Sequence, residues 1–251
     1  MTQFSILFNR LTFIKMTDYT KENPLRVFEA FAGYGSQAMA LERIKKYDPN
    51  FEFEVVGISE IDKYALQAYE AVHGHCPNYG DISVIDWNNV PDFDLFTYSF
   101  PCTDISNAGL QKGLEEGSGT RSGLLWECRK AIEIKRPKYL LMENVKALVG
   151  KKFKPEFEKW LAELEAYGYT SYYQVLNAKD YGVPQNRERV FCVSILGEHE
   201  FYTFPNPVEL DQRLKDVLEP TVDDKFVLSD KSIEGFLQHN DNHEQKQTGF
   251  V

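Results

Sequence analysis

The chain has 251 residues, 43% of them hydrophobic and 26% charged, with 28 Lys and Arg against 38 Asp and Glu for a formal net charge of −10. That length supports one α/β domain with a core of its own, so no disulfide or metal staple is required, and the acidic balance excludes a surface broadly lined with phosphate-binding cations; any nucleic-acid face must be local or supplied from elsewhere. Cys76, Cys102, Cys128 and Cys192 stand apart, without a CxxC pair or zinc-ligand spacing, a pattern that predicts a reducing, cytoplasmic setting and no metal site.

In chain order, the apolar opening Met1–Phe8 is interrupted by Asn9 and Arg10 before a signal-peptide core forms, and no stretch is long enough to span a membrane. Met16 offers a second start, which makes residues 1–15 a short extension; residues 1–24 are set apart as an N-terminal segment. The apolar run Leu25–Phe31 reads as a buried strand that ends in a tight turn at Gly33. Ser36–Tyr47 carries Ala38, Leu41 and Ile44 at helical spacing. Phe53–Ile58 is a second strand and Asp62–Val72 a second helix. Asp94–Tyr98 and Tyr139–Met142 are further strands, separated by a glycine-rich stretch and a helix over Leu124–Ile134. A helix over Phe157–Tyr167 precedes two late strands, Tyr172–Leu176 and Val190–Ile195, paired across the sheet. Strands alternating with helices predict a Rossmann-like α/β fold over residues 25–196, with a mostly parallel sheet covered on both faces. Residues 197–251 read as a proline-containing connector with a short helix near Gln212–Leu218 and a polar tail from Gln238 without a core of its own.

The chemistry-bearing segments each follow a predicted strand, where ligands bind in such folds. Gly33 and Gly35 in FAGYGS permit a tight turn and close backbone approach at a helix N-terminus; the same pattern serves dinucleotides or a plain strand–helix turn. Glu60, ending the second strand, is placed to accept hydrogen bonds from ribose hydroxyls. Asp81 is placed to take an exocyclic amine, with Ile61 and Ile82 flanking the ring. Cys102, in SFPCTDIS, is either a thiolate nucleophile or an inert buried thiol. Glu143, in MENV, suits a carboxyl raised by burial into a proton donor, or an ordinary first-turn acid beside a capping Asn144. Arg187 and Arg189, in QNRERVF, fall on one side by the two-residue period, with Glu188 opposite, either to hold a carbonyl or phosphate or as a solvated edge.

In this order, FAGYGS, PCTDIS, MENVKAL and QNRERVF resemble the cysteine, glutamate and arginine motifs of the DNA (cytosine-5)-methyltransferase family, from about Leu25 to about Leu218. The resemblance implies an S-adenosylmethionine-dependent enzyme acting on double-stranded DNA. Cys102 would attack C6 of a flipped-out cytosine, Glu143 would hold and protonate N3, Arg189 would contact O2, and Arg187 would support the pocket. Phe31, Gly33, Gly35, Glu60, Ile61, Asp81, Ile82, Pro101 and Leu124 would line the cofactor site. Ser106 and Arg121, in the glycine-rich segment expected to close over DNA, and Asn144 would contact substrate.

Two small departures from the family pattern stand out: Thr103 where glutamine usually follows Pro-Cys, and Ser36 where glycine is common. Nothing after Leu218 matches the family's target-recognition region or its last motifs. Residues 197–251 are therefore expected to begin a missing recognition region, completed by a second subunit or further segment, and the isolated chain is expected to show little activity. Rival readings are a transfer-RNA methyltransferase with the same Cys–Glu–Arg set, a non-catalytic cofactor-binding remnant, and a nicotinamide-dependent oxidoreductase.

Overall fold

The computed structural model describes residues 14–105 and 113–245. Two units are distinguished, Met1–Leu210 and Asp211–Val251. In the first, β1 (Leu25–Ala30), β2 (Phe53–Ser59), β3 (Leu95–Tyr98), β4 (Tyr139–Val145), β5 (Tyr169–Asn177) and β6 (Glu188–Leu196) form one sheet in the order β2-β1-β3-β4-β6-β5. The first four run parallel; β6 runs antiparallel to both β4 and β5. The helices of this unit are α1 (Ser36–Tyr47), α2 (Lys63–His73), α3 (Cys128–Lys135) and α4 (Lys154–Ala166).

Alternation along the central strands explains the layers. Phe28, Phe96, Tyr98, Leu140 and Met142 point into the larger core with Trp160 and Phe157 from α4. Leu25, Val27, Leu95 and Tyr139 point into a second core with Leu41 of α1. Burial on both faces is what makes these strands nearly continuous apolar runs. The chain leaves β1 toward β2 on one side and returns to β3 on the other, so the order reverses between β1 and β3, the crevice where parallel sheets bind ligands.

Several boundaries differ from the sequence expectation. Leu124–Ile134 is a 3-10 turn, Ser122–Glu127, running into α3. Helix α4 starts earlier than Phe157 because Pro155, in its first turn, lacks an N–H the helix does not need there. The late strands extend to nine residues each. In the second unit the expected short helix near Gln212–Leu218 is only a turn, Leu214–Asp216, whereas Asp230–Gln245 is a helix, α5, overlapping the tail expected to lack structure. Among the described residues no helix is long and apolar enough to cross a membrane.

Candidate active site

The carboxyl end of β1 leads into a turn built from left-handed backbone: Phe31 at φ 56°, Gly33 at 58° and Gly35 at 80°. A non-glycine residue held there is strained, and such strain persists where surrounding structure over-determines it. Part of that determination is visible. The Gly33 N–H donates to Glu60 at 2.8 Å, and Glu60 also accepts the Asp62 N–H at 2.8 Å. Asp62 in turn caps α2 by accepting from the Tyr64 and Ala65 amides. A Cβ at Gly35 would stand 2.7 Å from the Tyr69 ring and would also collide with His73.

Beneath this turn lies an acid that the sequence reading passed over. Glu29 is fully buried, accepts the Ala38 N–H at 3.0 Å, and accepts the Tyr69 hydroxyl at 2.7 Å. Ala38 is in the first turn of α1, whose amides have no helical acceptor, so a side chain from β1 caps a helix that lacks a cap from its own sequence. Burial pushes the Glu29 carboxyl up, against the lowering effect of these bonds. The available signal was a lone acid inside the apolar run LRVFEAF.

Asp81 caps the next short turn, accepting from the Ser83 amide at 2.9 Å and its hydroxyl at 2.8 Å, which holds its carboxyl below the usual range. The two isoleucines expected to flank a ring differ: Ile82 is 2% exposed and belongs to the core, while Ile61 is 70% exposed. A hydrogen-bonding glycine turn, a carboxylate facing it and an uncovered apolar side chain at adjacent strand ends fit a nucleoside-bearing cofactor.

Beyond β3, the segment Ser99–Ile105 carries Cys102 and is fastened at several backbone atoms. Asn144 Nδ2 donates to the Phe100 carbonyl at 2.9 Å, and the Ser122 hydroxyl to the Pro101 carbonyl at 2.7 Å. The Asp104 amide donates back to Ser122 Oγ at 3.2 Å. Cys76, Cys128 and Cys192 are buried, and burial raises their thiols, Cys76 to about 11 and Cys192 to about 12. Cys102 alone of the four is partly exposed, beside Pro101 and at the edge of the larger core, to which Leu124 also packs.

One strand over, Glu143 sits near the end of β4, and its Oε1 lies 3.0 Å from Arg189 Nε, with both side chains 22% exposed. Burial raises the Glu143 carboxyl; Arg189, Arg187 and a hydrogen bond from the Ser99 hydroxyl oppose it without cancelling it. Arg189 is brought there by the antiparallel register that pairs it with Val145. Arg187 precedes β6 and is exposed, its amide bound to Asn177 Oδ1 at 3.0 Å. Glu188, on the other side, pairs with Lys146 at 2.9 Å.

Of the remaining expected residues, Arg121 is exposed ahead of the Ser122–Glu127 turn, and Ser106 lies outside the described residues. Asn144 is 2% exposed with both ends of its amide engaged, Nδ2 at Phe100 and Oδ1 on the Val145 amide at 2.8 Å. Sequence reasoning also missed Ser99, just beyond β3, whose hydroxyl oxygen accepts from Gln37 Nε2 at 3.2 Å. Among the described residues no cluster of three or more His, Cys, Asp or Glu could hold a metal.

Comparison with known proteins bears on this arrangement. Residues 25–251 match the model for the C-5 cytosine-specific DNA methylase family. The type II methyltransferase M2.ScrFI of Lactococcus lactis subsp. cremoris is 45% identical over 83% of this chain and 71% of its own length. The orphan methyltransferase M.SssI of Spiroplasma monobiae is 35% identical over 83% of this chain and 68% of its own. Among solved structures, the S. pombe Dnmt2 methyltransferase superposes with a TM-score of 0.66 at 23% identity, covering 86% of this chain and 67% of that one, a likeness of fold.

Proposed function

The chain belongs to the C-5 cytosine-specific DNA methylase family, and from that premise we propose that it methylates C5 of cytosine in double-stranded DNA through a covalent adduct on Cys102. The observation that carries this reading is the junction of β3 and β4: a partly exposed cysteine loop tied through Asn144 to the strand that presents a mostly buried, arginine-paired Glu143.

In this reading the Cys102 thiolate adds to C6 of the base, forming an S–C bond and pushing an electron pair toward N3. Glu143 delivers its proton to N3, which leaves C5 nucleophilic. Burial raises the Glu143 carboxyl, which favours its protonated form. Arg189 holds O2, and Arg187 adds positive potential at the mouth. Once C5 has bonded to the methyl group, loss of the C5 proton to solvent expels the Cys102 thiolate, and return of the N3 proton to Glu143 restores the neutral aromatic ring. C6 is stacked inside a duplex, so the base must be flipped out first.

S-adenosylmethionine supplies an electrophilic methyl group when bound. Gly33 and Gly35 would admit its backbone-proximal end beside Phe31, Glu60 would accept from ribose hydroxyls, and Asp81 from the adenine amine. Ile61, Ile82, Pro101 and Leu124 would supply apolar contact. Ser106 and Arg121 are assigned to the DNA side. A partner chain or further segment is proposed to read base edges; the formal charge of −10 and the exposed apolar side chains of the second unit, among them Leu218, Phe226 and Phe236, support it.

The test is a duplex with 5-fluorocytosine, incubated with S-adenosylmethionine and the chain, then run on a denaturing gel beside Cys102→Ser. Fluorine blocks the last elimination, so a working chain stays attached. A band shift lost in the variant is expected once target-reading sequence is present. A shift that persists in Cys102→Ser refutes the assigned nucleophile.

A further inference from the structure

The turn that carries Gly33 and Gly35 is tied to α2 at both ends of that helix. At the N-terminal end, Asp62 caps α2 while its own amide donates to Glu60 Oε1 at 2.8 Å, and Glu60 Oε2 accepts the Gly33 N–H at 2.8 Å. At the C-terminal end stands His73, the last residue of α2, whose Nε2 lies 3.1 Å from the Tyr34 carbonyl oxygen, 39 positions away in the sequence. A carbonyl only accepts, so Nε2 is the ring nitrogen that carries the proton and donates. The other polar group of the same peptide unit is also engaged: the Gly35 N–H donates to the Ala32 carbonyl at 2.9 Å. Both faces of the Tyr34–Gly35 peptide are thus held, one by α2 and one by the turn itself. The imidazole is itself fixed in place. Its centroid lies 4.7 Å from that of the Tyr69 ring, one helical turn earlier, and the Tyr69 hydroxyl donates to the buried Glu29 at 2.7 Å. Gly35, buried at φ 80°, fits against these two rings because it has no side chain.

We propose that His73 is a positioning residue for the cofactor: by donating to the Tyr34 carbonyl it holds the Gly33–Gly35 turn in the left-handed shape that admits a nucleoside-bearing ligand. It acts through the turn and not by touching the ligand. Released from Nε2, the Tyr34–Gly35 peptide gains orientations that do not fit the ligand, and the apparent affinity falls by the fraction of chains that leave the competent one. The inference deepens the reading of this turn as part of the S-adenosylmethionine site and rests on it.

The experiment makes two measurements on the full chain and on two variants. His73→Phe keeps a ring against Tyr69 and removes the donor; His73→Gln loses the ring and keeps a side-chain N–H. The first measurement is hydrogen exchange of the Gly35 amide in glycine-labelled protein without ligand, which reads the turn alone. The second is the dissociation constant of S-adenosylhomocysteine by titration calorimetry. In His73→Phe, Gly35 exchange is expected to speed up and the affinity to fall by roughly three- to tenfold, the factor that one net hydrogen bond contributes. His73→Gln is expected to recover most of both. Urea midpoints matching the parent's show that the change is local and not a general loss of structure. Unchanged affinity in His73→Phe overturns the proposal, whatever the exchange does. A loss that His73→Gln fails to recover overturns it too, because the donor is then not what holds the turn. If the parent itself binds no S-adenosylhomocysteine while Gly35 exchange responds to the two variants as expected, the brace on the turn stands and the cofactor reading of the turn falls.

Discussion

Replacing Asn144 with alanine separates two roles that sequence alone left open. The side chain is 2% exposed; Nδ2 serves the Phe100 carbonyl at 2.9 Å and Oδ1 serves the Val145 amide at 2.8 Å. Truncation leaves one buried carbonyl and one partly buried amide without these acceptors and donors, each costing roughly 1–3 kcal/mol. Their sum, about 2–6 kcal/mol, is a large part of the roughly 5–15 kcal/mol that holds a typical domain folded. Asn144→Asp sharpens the test. It keeps an oxygen for Val145 but sets a second one against the Phe100 carbonyl, so the new carboxyl binds a proton more tightly folded than unfolded. Its stability relative to the parent is therefore greatest below the ordinary Asp range and is lost as pH rises through the raised folded value. Urea unfolding, followed by fluorescence of the buried Trp126 and Trp160, reads both variants between pH 4 and 8. If Asn144→Ala unfolds within about 0.5 kcal/mol of the parent, the size of an ordinary surface substitution, and loses only affinity for DNA, the residue is a substrate contact and the fastening argument is wrong.

Gly35→Ala is expected to destabilise by about 2–4 kcal/mol, combining left-handed strain with overpacking against Tyr69 and His73; a thermal midpoint matching the parent's refutes it. Glu29→Gln tests the buried acid. Burial raises the Glu29 carboxyl on folding, so the parent's stability from this group is full below the usual carboxylate range and declines as pH rises, while the amide variant has no proton to lose. The variant should gain on the parent between pH 5 and 8 in paired urea titrations, and a constant difference across that range would rule the argument out. Arg189→Leu removes a cation that lowers the Glu143 carboxyl, so the alkaline limb of the pH–rate profile should move upward even as the rate falls; a limb that stays put means another group titrates.

The parallel half of the sheet was legible because β1, β3 and β4 are short apolar runs ending at glycine, proline or acidic residues, and each marks a sheet position by its two-residue alternation. The motifs could be placed at strand ends for the same reason. Glu29 was not legible as a capping acid because its acceptors' donors come from Ala38 and from Tyr69, forty positions away. Ser99 was passed over because its hydrogen-bond partner, Gln37, lies 62 positions away in the sequence. Arg187 and Arg189 were expected as a matched pair, yet only Arg189 is held within the strand while Arg187 precedes it. In the second unit, attention to the polar tail concealed Ile233, Phe236 and Leu237, whose helical spacing fits α5.

The contacts of Arg189 constrain how a base is received. Its Nε is committed to Glu143 and one Nη1 hydrogen to the Glu188 carbonyl at 2.8 Å, which leaves the second Nη1 hydrogen and the two on Nη2 as donors toward the pyrimidine O2 in the proposed reading. Glu143 meets Arg189 through Oε1, so the proton for N3 belongs on Oε2. In that reading the two functions divide between the atoms of one ion pair: one edge holds the pair together, and the other is left for the base. A guanidinium carries five donors in a rigid fork, whereas an ammonium is a single rotating centre. Arg189→Lys is therefore expected to preserve charge but not this division, and to lower the rate of methylation measured beside the parent.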